Sequence, residues 1–219
     1  MTGIVEQPER DLALSYAPVA GRPGLAALLA LDDALALLLR TTREPAVGQM
    51  RLAWWREALE KLDRAPAPAE PVLRAIEAEV LPRGVTGASL VPIVHGWEVL
   101  IEEEVLDADA IRRFGEGRGH LFVAAGSLLG AKGDPLAAAG QGWAIADLGR
   151  NLDAEDERAT ARDLAVPLLA KATGTRWSRA GRALGAMAHL ARMDLAEAPK
   201  AAGAPGRVGR LLWHRLTGR

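Results

Sequence analysis

Apolar residues recur along this chain at three- and four-residue spacing, in blocks separated by proline, glycine and charge, and nowhere in strand-like alternation. The longest block, Leu25 to Leu39, is interrupted in its middle by Asp32 and Asp33. Pro23 can open a helix here, running to about Arg40. Thr41 and Thr42 weaken it, and the position before Pro45 is biased away from the α conformation. A further helix then runs from Pro45 to about Arg64, with Val47, Met50, Trp54, Ala58 and Leu62 along one side. Trp54 and Trp55 are adjacent and cannot share a helix face, which assigns one to the core and the other to a flank or helix interface.

The same reading extends along the rest of the chain. A short entry helix occupies residues 8–20, and RAPAPAEP (64–71) is a stiff linker. Helices follow from Pro71 to Leu81, through Val91 and Val94 to Glu104, from Asp107 or Asp109 to Gly130, and from Asp134-Pro135 to about Leu152. The third of these contains GEGRGH (115–120), either a loop or kink, or a helix so close to its neighbour or to a ligand that side chains are excluded. DAEDERATARD (153–163) is read as a charged loop or helix end. Two more helices, 161–172 and 175–195, precede a glycine- and proline-rich joint and a last helix at 207–216. The expectation is an all-α, single-domain bundle of about eight to ten helices without sheet. Its domain covers residues 1–198, and a joint plus a basic amphipathic helix covers 199–219.

Composition narrows the functional classes. The chain has 219 residues, enough for a full core, and no cysteine, which removes thiol chemistry and cysteine metal sites. A net charge of −1 provides no global field for nucleic acid. The opening MTGIVEQPERD lacks the pattern of a signal peptide, and the block at 25–39 falls short of the about 20 apolar residues that cross a bilayer. These features point to a cytoplasmic protein. His95, His120, His189 and His214 are scattered and form no zinc motif, and GEGRG is not preceded by the strand a dinucleotide fingerprint needs.

The segment REPAVGQMRLAWWREAL (43–59), with RDLALSYAPVAGRPGLAALLALDDAL before it and EPVLRAI after it, resembles the squalene/phytoene synthase family. It looks most like the branch that includes a mitochondrial complex I assembly factor. FGEGRGHLFVAAGSLLG and GQGWAIADLGRNL fall where that family places its glycine-rich helix and second polar motif. The resemblance spans roughly residues 10–170 and implies the isoprenoid (terpenoid) synthase bundle. Active members use two aspartate-rich motifs facing across a cavity, because Mg²⁺ held by carboxylates takes up charge as an allylic diphosphate ionises.

By that resemblance the first motif is not met. Asp32 and Asp33 are followed four residues on by Ala36 and Leu37, and the two aspartates point about 100° apart on a helix. They are metal candidates only against the alternative of a solvent-facing or hydrogen-bonded helix pair. Asp147, Asn151 and Glu155, at i, i+4 and i+8, occupy the slot of the second motif and could share one face toward a hard cation. A charged helix end is the alternative. Gln49, Arg51, Trp54 and Trp55 are candidates to line the cavity.

Two functions follow as expectations. One is a synthase-like protein with a degenerate aspartate-rich site, non-catalytic and without a cofactor, acting as a binding or assembly module for an isoprenoid or lipid-like ligand or a protein partner. The other is an active Mg²⁺-dependent prenyl-diphosphate transferase carrying out head-to-head condensation. The tail adds a third element. Residues 199–219 carry Lys200, Arg207, Arg210, Arg215 and Arg219 and no acid, while Val208, Leu211, Leu212 and Leu216 can share a face with Trp213 near its edge. Such a helix at 207–216 can rest peripherally on the inner-membrane surface or dock its leucines on the bundle.

Overall fold

The computed structural model describes residues 8–196 and 198–219, and all of its regular structure is helical. Residues 1–7, which hold most of the segment read above as lacking a signal peptide, lie outside the described residues. Ten α-helices follow one another: α1 (Pro8–Leu14), α2 (Arg22–Thr41), α3 (Pro45–Lys61), α4 (Pro71–Glu79), α5 (Val91–Glu102), α6 (Ala108–Leu129), α7 (Leu136–Gly149), α8 (Glu155–Gly174), α9 (Arg182–Asp194) and α10 (Pro205–Thr217). Proline stands in the first turn of α2, α3, α4, α5 and α10, where its missing N–H costs nothing. No single helix among the described residues is long and apolar enough to cross a membrane.

α6 and α7 form the centre, with α5 and α8 on their flanks, α2 across α6, and α9 across α7. The glycines of GEGRGH explain this packing. α6 is unbroken from Ala108 to Leu129, so the segment is a close-packed helix rather than a loop. A Cβ on Gly117 would lie 2.5 Å from the Gly96 Cα of α5. A Cβ on Gly119 would lie 2.5 Å from the Gln141 backbone N and 2.6 Å from the Gly140 carbonyl carbon of α7. The bare backbones of three helices therefore touch at one level, and no side chain larger than hydrogen fits between them.

Several boundaries differ from the sequence reading. The helix expected over 161–172 starts earlier: Glu155, Asp156 and Glu157 make the first turn of α8, so the charged segment is in part the helix end read from the sequence, and its charge complements the helix dipole. The buried side of α3 is Gly48, Leu52, Trp55, Ala58 and Leu59. Trp55 is 7% exposed and Trp54 45%, so the pair divides between core and surface, in edge contact at 5.3 Å. Val47 and Met50 face outward, because α3 rests against α5 through its glycine-containing side instead.

Candidate functional site

The level at which α5, α6 and α7 touch also fixes a buried arginine. Arg118 lies between Gly117 and Gly119, so the helix carries its guanidinium into the interior, where only 6% of the side chain is exposed. Trp97 follows Gly96 on α5, and Trp143 is three residues beyond Gly140 on α7. Their rings flank the guanidinium, with its carbon 4.6 Å from the Trp97 centroid and 4.4 Å from the Trp143 centroid. Phe114 stands 5.8 Å away, one turn back on α6. A planar, weakly hydrated cation between two indole faces is a favourable use of arginine.

Carboxylates on two opposed helices complete its coordination. Arg118 donates through Nε and Nη2 to the two oxygens of Asp32 on α2, both at 2.8 Å, and through Nη1 to Asp147 Oδ2 on α7 at 2.6 Å. The Trp97 indole N–H adds a 3.0 Å bond to Asp32 Oδ1. Arg150 takes the other oxygen of Asp147 at 2.6 Å. Burial pushes the Asp147 carboxyl up, but the charges and hydrogen bonds of Arg118 and Arg150 prevail and hold it below the ordinary carboxylate value. Burial alone would lower the Arg118 pKa, but the charge and hydrogen bonds of Asp32, then Asp147, raise it, so the group is a permanent cation.

The ion pairs continue outward. Arg150 also holds Asp194 of α9 at 2.7 Å, Asp194 holds Arg207 of α10 at 2.6 Å, and Arg207 grips Glu9 of α1 at 2.7 Å. Asp32, Arg118, Asp147, Arg150, Asp194, Arg207 and Glu9 thus form an alternating chain of charge that joins α2, α6, α7, α9, α10 and α1. All seven line a cavity of about 920 Å³, whose apolar wall includes Leu39, Leu100, Leu106, Leu148, Met187 and Leu190. That volume lies within the range of small-molecule sites.

The residues selected from sequence separate into groups. Asp32 and Asp33 both border the cavity, but Asp32 is spent on Arg118 and Trp97, and Asp33 on Arg10 at 2.7 and 2.8 Å. Asp147 also lines it. The single face expected for Asp147, Asn151 and Glu155 does not form, because α7 ends at Gly149 and α8 starts at Glu155. Asn151 sits in the turn between, its amide donating to the Asp147 carbonyl at 2.8 Å. Glu155 points to solvent and pairs with Arg158, which also donates to the Leu152 and Asp153 carbonyls. Among the described residues, no three acidic or histidine side chains converge on a point that could hold a metal ion.

Gln49, Arg51, Trp54 and Trp55 are not in the cavity wall; α3 lies outside it, against α5. Arg118, Trp97 and Trp143 were not selected from the sequence. The available signal was the arginine placed between two glycines in the middle of a helix.

Compared with protein-family models, with curated proteins and with solved structures, the chain matches none.

Proposed function

We propose that this chain is a squalene/phytoene-synthase-like bundle that does not ionise diphosphates and uses its cavity as a binding or assembly module for an elongated, lipid-like ligand. One observation carries this reading: the guanidinium of Arg118 lies between Asp32 and Asp147, where carboxylates from opposed helices would otherwise clamp divalent metal. Both oxygens of Asp32 go to Arg118, and those of Asp147 are divided between Arg118 and Arg150. These carboxylates do not fit Mg²⁺, because every oxygen already faces a cation of the chain itself. As an allylic diphosphate ionises, the electron pair of the breaking C–O bond stays with the diphosphate, and an uncommitted cation must take up that negative charge. A guanidinium fixed between two indoles and two carboxylates is already neutralised.

Binding needs less. The cavity combines an apolar wall with charged groups, among them Arg10, Arg40 and Lys200, a combination suited to a hydrocarbon chain with a polar end. The test is incubation with Mg²⁺ and farnesyl diphosphate, following diphosphate release, beside calorimetric titration with farnesol and farnesyl diphosphate in the absence of metal. The expected result is binding without turnover. Diphosphate release at about 1 s⁻¹ or faster would overturn the non-catalytic reading in favour of the transferase. Titrations without heat, repeated with Leu148→Arg as the blocked-cavity control, would remove the binding role.

A further inference from the structure

α10 reverses the ordinary distribution of residues in a surface helix. Its inward side is Arg207, Leu211 and His214, all buried. Its outward side is Leu212, Trp213 and Leu216, exposed by 45%, 55% and 77%. Arg207 is directed inward by its partners, since Glu9 and Asp194 receive its guanidinium from α1 and α9. His214 is held by the Arg182 carbonyl at 3.1 Å and meets the rings of Trp177 and His189 edge-on. The register of the helix is therefore fixed by polar contacts, and that register faces two leucines and a tryptophan away from the bundle. An interior requirement does not place them there, because Leu211 alone supplies the apolar contact.

The C-terminal end of this helix adjoins a cationic segment. The C-terminal end of α10 is tied to the segment 176–182 by the Trp177 N–H to the Gly218 carbonyl at 2.8 Å and by Arg176 Nε to the Thr217 carbonyl at 3.2 Å. That segment carries Arg176, Arg179 and Arg182, and the three share a surface depression with Lys132. The depression contains one carboxylate, Asp134, whose oxygens are occupied by the Ser178 N–H at 2.8 Å and hydroxyl at 2.6 Å. Arg215 adds positive charge on α10 itself, its guanidinium 5.2 Å from the Tyr16 ring, and Arg219 adds more just beyond the helix end. Burial lowers the Arg182 pKa, and the charges of Arg179 and Arg176 lower it further, so the cluster is crowded with like charge.

We propose that Leu212, Trp213 and Leu216, with Arg215 and Arg219 beside them in sequence and the basic depression of Lys132, Arg176, Arg179 and Arg182 joined to the C-terminal end of α10, form a docking surface for an anionic bilayer, with the three apolar side chains entering the headgroup region. A second copy of the chain is disfavoured as the occupant, because a symmetric contact would set this positive surface against itself. Three apolar side chains with a tryptophan among them make a shallow contact, the size that an amphipathic helix buries at a headgroup boundary. The adjoining cations supply the attraction to anionic lipid. This surface is separate from the cavity and does not depend on what the cavity holds.

Co-sedimentation with vesicles tests the proposal. The full chain is expected to bind vesicles made of phosphatidylcholine and phosphatidylglycerol in equal parts, to ignore phosphatidylcholine alone, and to release at high salt. Arg176→Gln and Arg179→Gln should each weaken binding about fivefold, and Leu212→Ser with Leu216→Ser about tenfold or more. Both changes face outward, so thermal melting should not move. Met50→Ser, at an equally exposed site on α3, serves as the control and should bind like the parent. Equal binding to neutral and anionic vesicles, binding to neither, or parent-like binding by the double leucine variant would each overturn the proposal. Self-association in the ultracentrifuge that is lost in that variant would assign the surface to a second copy instead, and would also overturn it.

Discussion

Arg118 and Asp32 meet side-on in the interior through two parallel 2.8 Å hydrogen bonds, from positions 86 residues apart in sequence. The pair is buried on both sides, so desolvation consumes much of its attraction and its presence is weak evidence for stability. Its removal is another matter. Arg118→Ala leaves Asp32 without its partner and Asp147 with one fewer, and should cost about 3–5 kcal/mol in urea unfolding at neutral pH. Arg118→Met combined with Asp32→Leu should recover most of that loss, since it withdraws charge from both sides at once. Arg118→Lys should behave more like the alanine variant, because an ammonium cannot form the fork or lie flat between Trp97 and Trp143.

The close approach of α6 to its neighbours predicts a sharp contrast among glycine substitutions. Gly117→Ala and Gly119→Ala each drive a methyl into the backbone of α5 or α7, and backbone atoms cannot step aside. Each should destabilise by about 3 kcal/mol or more. Gly209→Ala, inside α10 with nothing within 4 Å of the new methyl, should stabilise by about 0.5–1 kcal/mol through helix propensity. Melting temperatures of the three variants decide the matter.

Beneath α10, His189 and His214 meet edge-on with ring centres 4.7 Å apart. Burial, the neighbouring ring and the charges of Arg210 and Arg192 push His189 down to about 3. Burial, with Arg182 and Arg210, pushes His214 to about 4, against the opposing Arg182 carbonyl. Both are neutral in the bundle while an unfolded histidine takes its proton near pH 6.5, so their stabilising contribution is complete above about pH 6.5 and declines as pH falls toward 4, with a slope of up to about 1.4 kcal/mol per pH unit for each histidine. Asp147, held below its ordinary value, adds a loss at lower pH, below about 4. Denaturant titrations across pH 4–8 should show the histidine slope, and His189→Leu should roughly halve it.

Arg207 ties the first and last described helices together through Glu9 and Asp194. Arg207→Ala should release α10 before the rest of the bundle unfolds, costing about 3 kcal/mol locally because Glu9 loses its cation and Asp194 keeps only Arg150. Hydrogen exchange should show faster exchange confined to α10 and α1, with α6 and α7 unchanged.

Helix positions were legible in the sequence because proline and glycine mark them directly: Pro23, Pro45, Pro71 and Pro135 lie within one residue of helix starts, and Gly130 closes α6. The close-packed alternative for GEGRGH was also legible, and it is the one the fold uses. What escaped depended on the third dimension. The stripe Val47, Met50 and Trp54 has helical spacing, yet its face is outward because α3 meets α5 through Gly48 and Leu52. Asp147, Asn151 and Glu155 are regularly spaced, but regular spacing has meaning only within one helix, and the turn after Gly149 breaks it. Arg118 belongs to Asp32 only after three backbones have come together, which no local window contains.

The indoles of Trp97 and Trp143, held against a fixed charge in the cavity wall, give the molecule an intrinsic optical reporter. Whatever enters that space strips water from Trp143 while the guanidinium stays in place, so the emission maximum should move to the blue in proportion to occupancy. Candidate ligands can therefore be screened on the unlabelled protein, with Trp143→Phe as the blank.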